Sequence, residues 1–232
     1  MASAIEKVVI TPRTLYDYRN MFLLTENDLV AGPILDCPSG ASPFGAQVRA
    51  RGGVAVSVDM AYQSPVTDLI AKIRADLGTL TGWMDTNRDM INWAYLGSPD
   101  ALMNAWEVAV DYFLDDYLRD DGTRYVPATL PTLSFPDKHF RLVLSSHMLF
   151  TFTQFVSFED HLASLLELVR VSAGETRVFP IRDTTNTVYP RLDELRAALL
   201  EHGVHTEIRT AACAYNKGAD EMLALWRETL VP

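Results

Sequence analysis

Two short apolar runs with one helix's length of chain between them constrain this sequence most. Ile34-Leu35-Asp36 and Val54 to Val58 read as buried strands, the second β-branched and ending in Asp59. Gly32-Pro33 punctuates the chain before the first. Between the two, Ser42 is placed as an N-cap with Pro43 at the first helical position, and the helix runs towards Arg51 and stops at Gly52-Gly53. A strand, a helix and a second strand in so little chain form the unit of a parallel sheet, hence of an α/β fold.

The alternation continues downstream. Arg124 to Ala128, Leu142 to Ser145 and Thr176 to Ile181 read as strands. Phe158 to Val169 reads as a helix, as does Leu192 to Leu200, which stops at Gly203. Thr206 to Ala214 is strand-like and 216–220 is a turn, whereas Glu221 to Leu230 suits a helix or a returning strand. Residues 60–123 depart from the pattern. Ser64-Pro65 opens a helix with Val66, Leu69, Ile70, Ile73 and Leu77 on one face, Thr81 to Tyr95 is less regular, and Ser98-Pro99 opens a further helix carrying Leu102, Trp106, Val110, Phe113, Leu114 and Tyr117. One helix suffices to connect parallel strands, so the surplus, about 63–123, is an insertion within a single domain spanning 1–232.

Composition closes off several classes. With 232 residues, 48% apolar and 22% charged, the chain buries an ordinary core. A net charge of −10 with no Lys/Arg run argues against a nucleic-acid partner. No apolar run approaches the ~20 residues of a membrane span, and the first twelve residues lack a secretion pattern. Cys37 and Cys213 make no metal or redox spacing, so no metal is expected and a reduced, cytoplasmic setting is.

In an open α/β sheet, ligands bind beyond the carboxyl ends of the strands. The first such end is the most informative. Asp36 is followed by Cys37-Pro38-Ser39-Gly40-Ala41-Ser42, small residues that let a ligand approach the backbone at a helix start. Asp59 follows Gly40 by 19 positions and ends the next strand, where a carboxylate can accept from both hydroxyls of a ribose. The competing reading is a tight turn with an acidic cap. A dinucleotide fits less well, because the G-x-G-x-x-G pattern is absent and Asp36 stands where pyrophosphate would lie. S-adenosylmethionine carries a sulfonium and an ammonium and no phosphate, and suits an acidic turn.

These residues carry a resemblance. Ile34 to Gly40 resembles the first motif of class I S-adenosylmethionine-dependent methyltransferases, and Val56-Ser57-Val58-Asp59 is similar to their second. Leu133-Ser134-Phe135-Pro136-Asp137-Lys138-His139-Phe140-Arg141-Leu142-Val143-Leu144-Ser145-Ser146-His147 resembles a segment of the small-molecule enzymes, and Leu165 to Phe179 the helix and strand that follow it. The matches come in the family's order over about residues 30–183. Departures are Pro38 and Ser42 in place of motif glycines, Thr129 where the family often has an adenine-binding Asp, Arg141 for an Asp, and Ala173-Gly174-Glu175 for a glycine pair.

The resemblance implies a Rossmann-like, seven-stranded, mostly parallel sheet whose last strand, Glu221 to Arg227, runs antiparallel beside the fifth. It implies S-adenosylmethionine as cofactor and methyl transfer to a small molecule. Asp36, Cys37, Pro38, Ser39 and Gly40 would hold the methionine end, Asp59 and Met60 the ribose, and Thr129-Leu130 the adenine. Ser145, Ser146 and His147 would border the reacting methyl. His147 is a candidate general base, against its reading as a packed wall residue. Trp83, Trp93 and Asp183 are candidates for the acceptor pocket, and Tyr95 and Tyr112 are further aromatics of the insertion. Core packing is the reading for Trp106, Phe113 and Tyr117, for Tyr16 and Tyr18, and for Cys37 as a small filler. The insertion is expected to cap the site; the competing reading buries it against a second subunit in a homodimer. A different class stays open: a non-catalytic binding or regulatory protein on the same fold.

Overall fold

The computed structural model describes residues 4–228. Its elements alternate as expected: α1 (Leu15–Phe22), α2 (Glu26–Val30), β1 (Ile34–Asp36), α3 (Phe44–Arg49), β2 (Ala55–Val58), α4 (Val66–Thr86), α5 (Trp93–Leu96), α6 (Pro99–Tyr117), β3 (Tyr125–Val126), β4 (Phe140–Ser146), α7 (Phe158–Val171), β5 (Ser172–Phe179), α8 (Leu192–Glu201), β6 (His205–Thr210) and β7 (Glu221–Trp226). The seven strands form one sheet in the order β3-β2-β1-β4-β5-β7-β6. Every pairing is parallel except those of β7, which runs antiparallel to both β5 and β6.

Alternation along each strand divides the core. Leu35, Val143, Val178, Leu223 and Leu225 face α7 and α8, where Leu165, Leu168, Leu195 and Leu199 are buried. Ile34, Leu142, Leu144 and Met222 face the other way, onto Tyr18, Met21, Phe22, Phe44 and Val48 from α1 and α3. This is why Glu221–Trp226 is a strand despite its helix-forming composition: Met222, Leu223, Ala224 and Leu225 are all buried, which only an interior strand covered on both faces achieves.

The helices between β2 and β3 build a third apolar cluster with Ile5 and Ile10 of the N-terminal segment. The stripe that α4 buries is Leu69, Ile73, Asp76, Leu77, Leu80 and Met84; Val66 and Ile70 are only partly covered. The helix runs unbroken to Thr86 where an irregular stretch was expected, because Leu77, Leu80 and Met84 keep its 3.6-residue contact with the cluster and outweigh Gly78 and Gly82. The N-cap of α3 moves one residue, to Pro43; Ser42 Oγ accepts from Phe44 N at 3.1 Å. Phe113 and Tyr117 pack with Tyr62 and Tyr125, as core. Tyr16 does not anchor the core: it is 66% exposed, stacked on Tyr95, because α1 turns its buried face through Leu15, Tyr18, Met21 and Phe22. Tyr112 is likewise exposed, on the outer side of α6. Among the described residues, no helix is long and apolar enough to cross a membrane.

Candidate functional site

The strand order reverses between β1 and β4, each of which pairs with the other and leads outward in opposite directions. Beyond the carboxyl ends of these strands lies a groove of about 610 Å³, within the range of small-molecule sites. It is lined by Cys37, Pro38, Ser39 and Gly40 after β1, Asp59 and Met60 after β2, Ala128, Thr129 and Leu130 after β3, and Ser146 and His147 after β4. The structure therefore brings ten of the residues named from the sequence to one space. Asp36 and Ser145 are not among its walls. Both are buried strand residues whose side chains lie beneath the surface that their neighbours Cys37 and Ser146 present.

Backbone geometry ties the first two strand ends together. Ser39 N donates to Val58 O at 2.8 Å, and Gly40 N donates to Asp59 Oδ2 at 3.0 Å. Ala61 N donates to Asp59 Oδ1 at 2.9 Å, so the carboxylate caps the turn after β2 and each oxygen keeps one further lone pair. Gly40 adopts φ +59°, and a Cβ there would stand 3.3 Å from Thr11 O, which is why glycine is needed. Burial raises the Asp59 carboxyl above its ordinary range, and the two backbone N–H bonds oppose the rise. Burial pushes Asp36 up to about 7, against the hydrogen bond from Tyr18. Tyr18 itself stacks on Phe44 with ring centroids 4.2 Å apart, so its position is fixed by the core and its hydroxyl serves the carboxylate.

His147 follows the last residue of β4 at φ +48°, a left-handed conformation uncommon for histidine. Its Nδ1 is 2.9 Å from Ser146 Oγ, and its ring packs 5.3 Å from Phe179 and 6.0 Å from Tyr215. Burial, and then the nearby charge of Arg13, hold its pKa well below the usual imidazole value. A ring so held is neutral at physiological pH and a weak proton acceptor, which fits the packed-wall reading. Cys37 is buried, and burial raises its thiol well above the ordinary value, so it is a filler and not a nucleophile.

A second, apolar cavity adjoins the groove, and Val9, Thr11, Arg13 and His147 line both. Its other walls include Leu80, Trp83, Met84, Ile91 and Trp106 of the insertion, Phe179, Pro180, Arg182 and Asp183 at and after the end of β5, and Tyr215. The insertion thus sits over the carboxyl ends of β4 and β5. Trp83 and Asp183 are in this wall, whereas Trp93 is in neither: its Nε1 donates to Arg88 O at 3.0 Å and its ring lies under the Arg88 guanidinium. Asp183 Oδ1 accepts from Thr185 N, Thr187 N and Thr185 Oγ1 and so braces a turn.

Sequence reasoning missed the N-terminal segment. Val8 to Thr11 and Arg13 run along both spaces, anchored where Ile10 N donates to Asp76 Oδ2 at 2.9 Å and Gln154 Nε2 donates to Ile5 O at 3.0 Å. No motif marks these residues. Only the breaks at Pro12 and Thr14, which caps α1, hint that an extended strap precedes the helix.

No family model matches the chain. It is similar to the magnesium protoporphyrin IX methyltransferase of Synechocystis PCC 6803, a structure solved with bound S-adenosylmethionine: TM-score 0.50, 11% identity, 91% of this chain and 77% of that one covered. The fold is therefore that of class I methyltransferases, as the resemblance implied. At the sequence level the chain is 30% identical over 181 residues to the uncharacterized protein MJ0045 of Methanocaldococcus jannaschii, covering 76% of this chain and 79% of the relative. On that identity and coverage, the chain belongs to the family of the M. jannaschii protein MJ0045.

Proposed function

We propose that the protein binds S-adenosylmethionine in the groove and transfers its methyl group to a small molecule held in the adjoining cavity. The observation that carries the reading is the pairing of Gly40 with Asp59 on the β1–β2 rim of the groove, beside the reversal of strand order between β1 and β4. That pairing sets a close-approach backbone beside a carboxylate with a free lone pair on each oxygen, which suits an amino-acid tail and a ribose together. The donor set also fits the group chemically. Ser39, Ser146 and Thr129 offer hydroxyls, Met60, Ala128 and Leu130 offer apolar surface for a base, and the Asp59 carboxylate gives the negative field that a sulfonium and an ammonium need.

When bound, S-adenosylmethionine would supply an electrophilic methyl whose C–S bonding pair stays on sulfur, while the acceptor contributes the new pair. The protein's part is alignment and exclusion of water. Trp83, Trp106 and the strap close the cavity side, and His147 stands between the two spaces as a neutral wall. Isothermal titration with S-adenosylmethionine and S-adenosylhomocysteine tests the reading. Both should bind, and Asp59→Ala should weaken them at least tenfold while the far-UV spectrum is unchanged, since a charge-assisted hydroxyl bond is worth about 1.5–3 kcal/mol. Unchanged affinity in that variant would place the ligand elsewhere.

A further inference from the structure

Arg13 is the group the cofactor reading leaves over. Its side chain lies between groove and cavity at 8% exposure, and its Nε is buried without a hydrogen-bond partner. One η nitrogen donates to Thr11 Oγ1. Among the described residues no carboxylate lies within ion-pair reach of it, although the chain carries ten more acidic than basic residues. A buried guanidinium is a permanent cation, and leaving it uncompensated is costly. The planar fork matches a carboxylate, which it binds through two parallel N–H bonds.

The guanidinium carbon sits 5.2 Å from the ring centroid of Tyr215, and Tyr215 walls the apolar cavity without touching the groove. The cation is thus drawn towards the cavity, whose remaining walls include Trp83, Met84 and Trp106. The cavity volume of about 80 Å³ gives room for roughly two to three waters and is about half that of a cavity that takes a benzene ring, so it suits the branched aliphatic body of a short acid. We propose that the acceptor is a short apolar carboxylic acid, its carboxylate paired with Arg13 and its apolar body set among Trp83, Met84 and Trp106, one carboxylate oxygen forming the new bond to the methyl as the C–S bond breaks, with no proton to lose, to give the methyl ester. The inference rests on the proposed function for the word acceptor; the acid site itself rests on Arg13 and the cavity. Because Arg13 and His147 border both spaces, an acid so held lies against the groove from which the methyl would come.

The other carboxylate in reach is the cofactor's own, and two binding measurements separate the sources. Isobutyrate, isovalerate and pivalate, each against its amide, are titrated while tryptophan fluorescence reports on Trp83 and Trp106. S-adenosylhomocysteine is titrated by calorimetry. The wild-type chain should bind at least one acid tenfold or more tighter than its amide. Arg13→Met should abolish that preference and keep S-adenosylhomocysteine affinity within about threefold. Arg13→Lys, which keeps the charge without the fork, should keep a weakened preference, and it decides the matter where Arg13→Met does not fold. No acid preferred over its amide in the wild type overturns the proposal, as does a tenfold loss of S-adenosylhomocysteine in either Arg13 variant with the acid preference intact. Failure of S-adenosylhomocysteine to bind the wild type instead sinks the methyltransferase reading and leaves the acid comparison standing.

Discussion

Tyr18 Oη stands 2.9 Å from each carboxylate oxygen of Asp36, so one phenolic proton is shared by a carboxyl that has no solvent-exposed surface. Burial raises Asp36 to about 7, above the ~3.9 of an unfolded aspartate. A raised carboxyl favours its protonated form in the fold. Its contribution to stability is complete below about pH 4 and is lost as pH rises through about 7. Asp36→Asn, which keeps an acceptor for Tyr18, should therefore be the more stable protein at pH 8 by roughly 2–4 kcal/mol, with the gap shrinking towards pH 4. Urea unfolding at pH 4, 6 and 8 measures this, and a gap independent of pH would contradict it.

His147 has the opposite sign. Its folded pKa is depressed, so the unfolded chain takes up a proton near pH 6.5 that the folded chain refuses. Stability contributed by the neutral ring is present above about pH 6.5 and lost as pH falls below it. In an NMR titration of labelled histidine, the His147 ring signals should stay fixed between pH 6 and 8. A midpoint for His147 inside that window would restore it as a general base.

Gly40→Ala places a Cβ in a left-handed conformation and 3.3 Å from Thr11 O. The backbone term alone costs about 1–2 kcal/mol, and the crowding falls on the strap that borders the groove. Thermal unfolding should show the loss, and S-adenosylhomocysteine binding should weaken with it. An unchanged melting temperature would mean that the turn relaxes freely.

How much of this was legible depended on whether a residue acts locally. The strands at 34–36 and 55–58 are visible because an interior parallel strand must be apolar on both faces, and the groove-lining run from Cys37 to Gly40 follows directly from where β1 stops. Asp36 and Ser145 were assigned to the wall although strand alternation places each beneath it. Glu221–Trp226 was open from its own residues and was settled only by the fold it completes. Arg13 was out of reach altogether. Its meaning comes from Tyr215, His147 and Trp83, which are remote in sequence and meet only once the sheet and insertion have formed.

Asp76 should prove to be the anchor of the strap. It is 1% exposed, accepts from Ile10 N at 2.9 Å and from Lys72 Nζ at 2.8 Å, and pairs with Lys7 Nζ at 3.1 Å. Asp76→Ala leaves the Ile10 amide without its charged acceptor, worth about 1.5–3 kcal/mol. Limited proteolysis should then cut within 4–12 faster than in the wild type, ahead of any cut in the sheet. Lys7→Ala, at a half-exposed partner, should change stability by at most about 1 kcal/mol. Equal cleavage in Asp76→Ala and wild type would show that Ile5 and Gln154 suffice.

The position of β7 imposes an order of assembly. It is the last of the sheet's seven strands in chain order and yet lies inside the sheet, hydrogen-bonded to β5 on one side and β6 on the other. Until residues 221–226 exist, β6 has no neighbour and β5 presents a bare edge, so a nascent or prematurely terminated chain carries two strands ready to pair with other molecules. A stop codon at position 221 would thus do far more harm than the share of the chain it removes suggests, by leaving β5 and β6 unjoined.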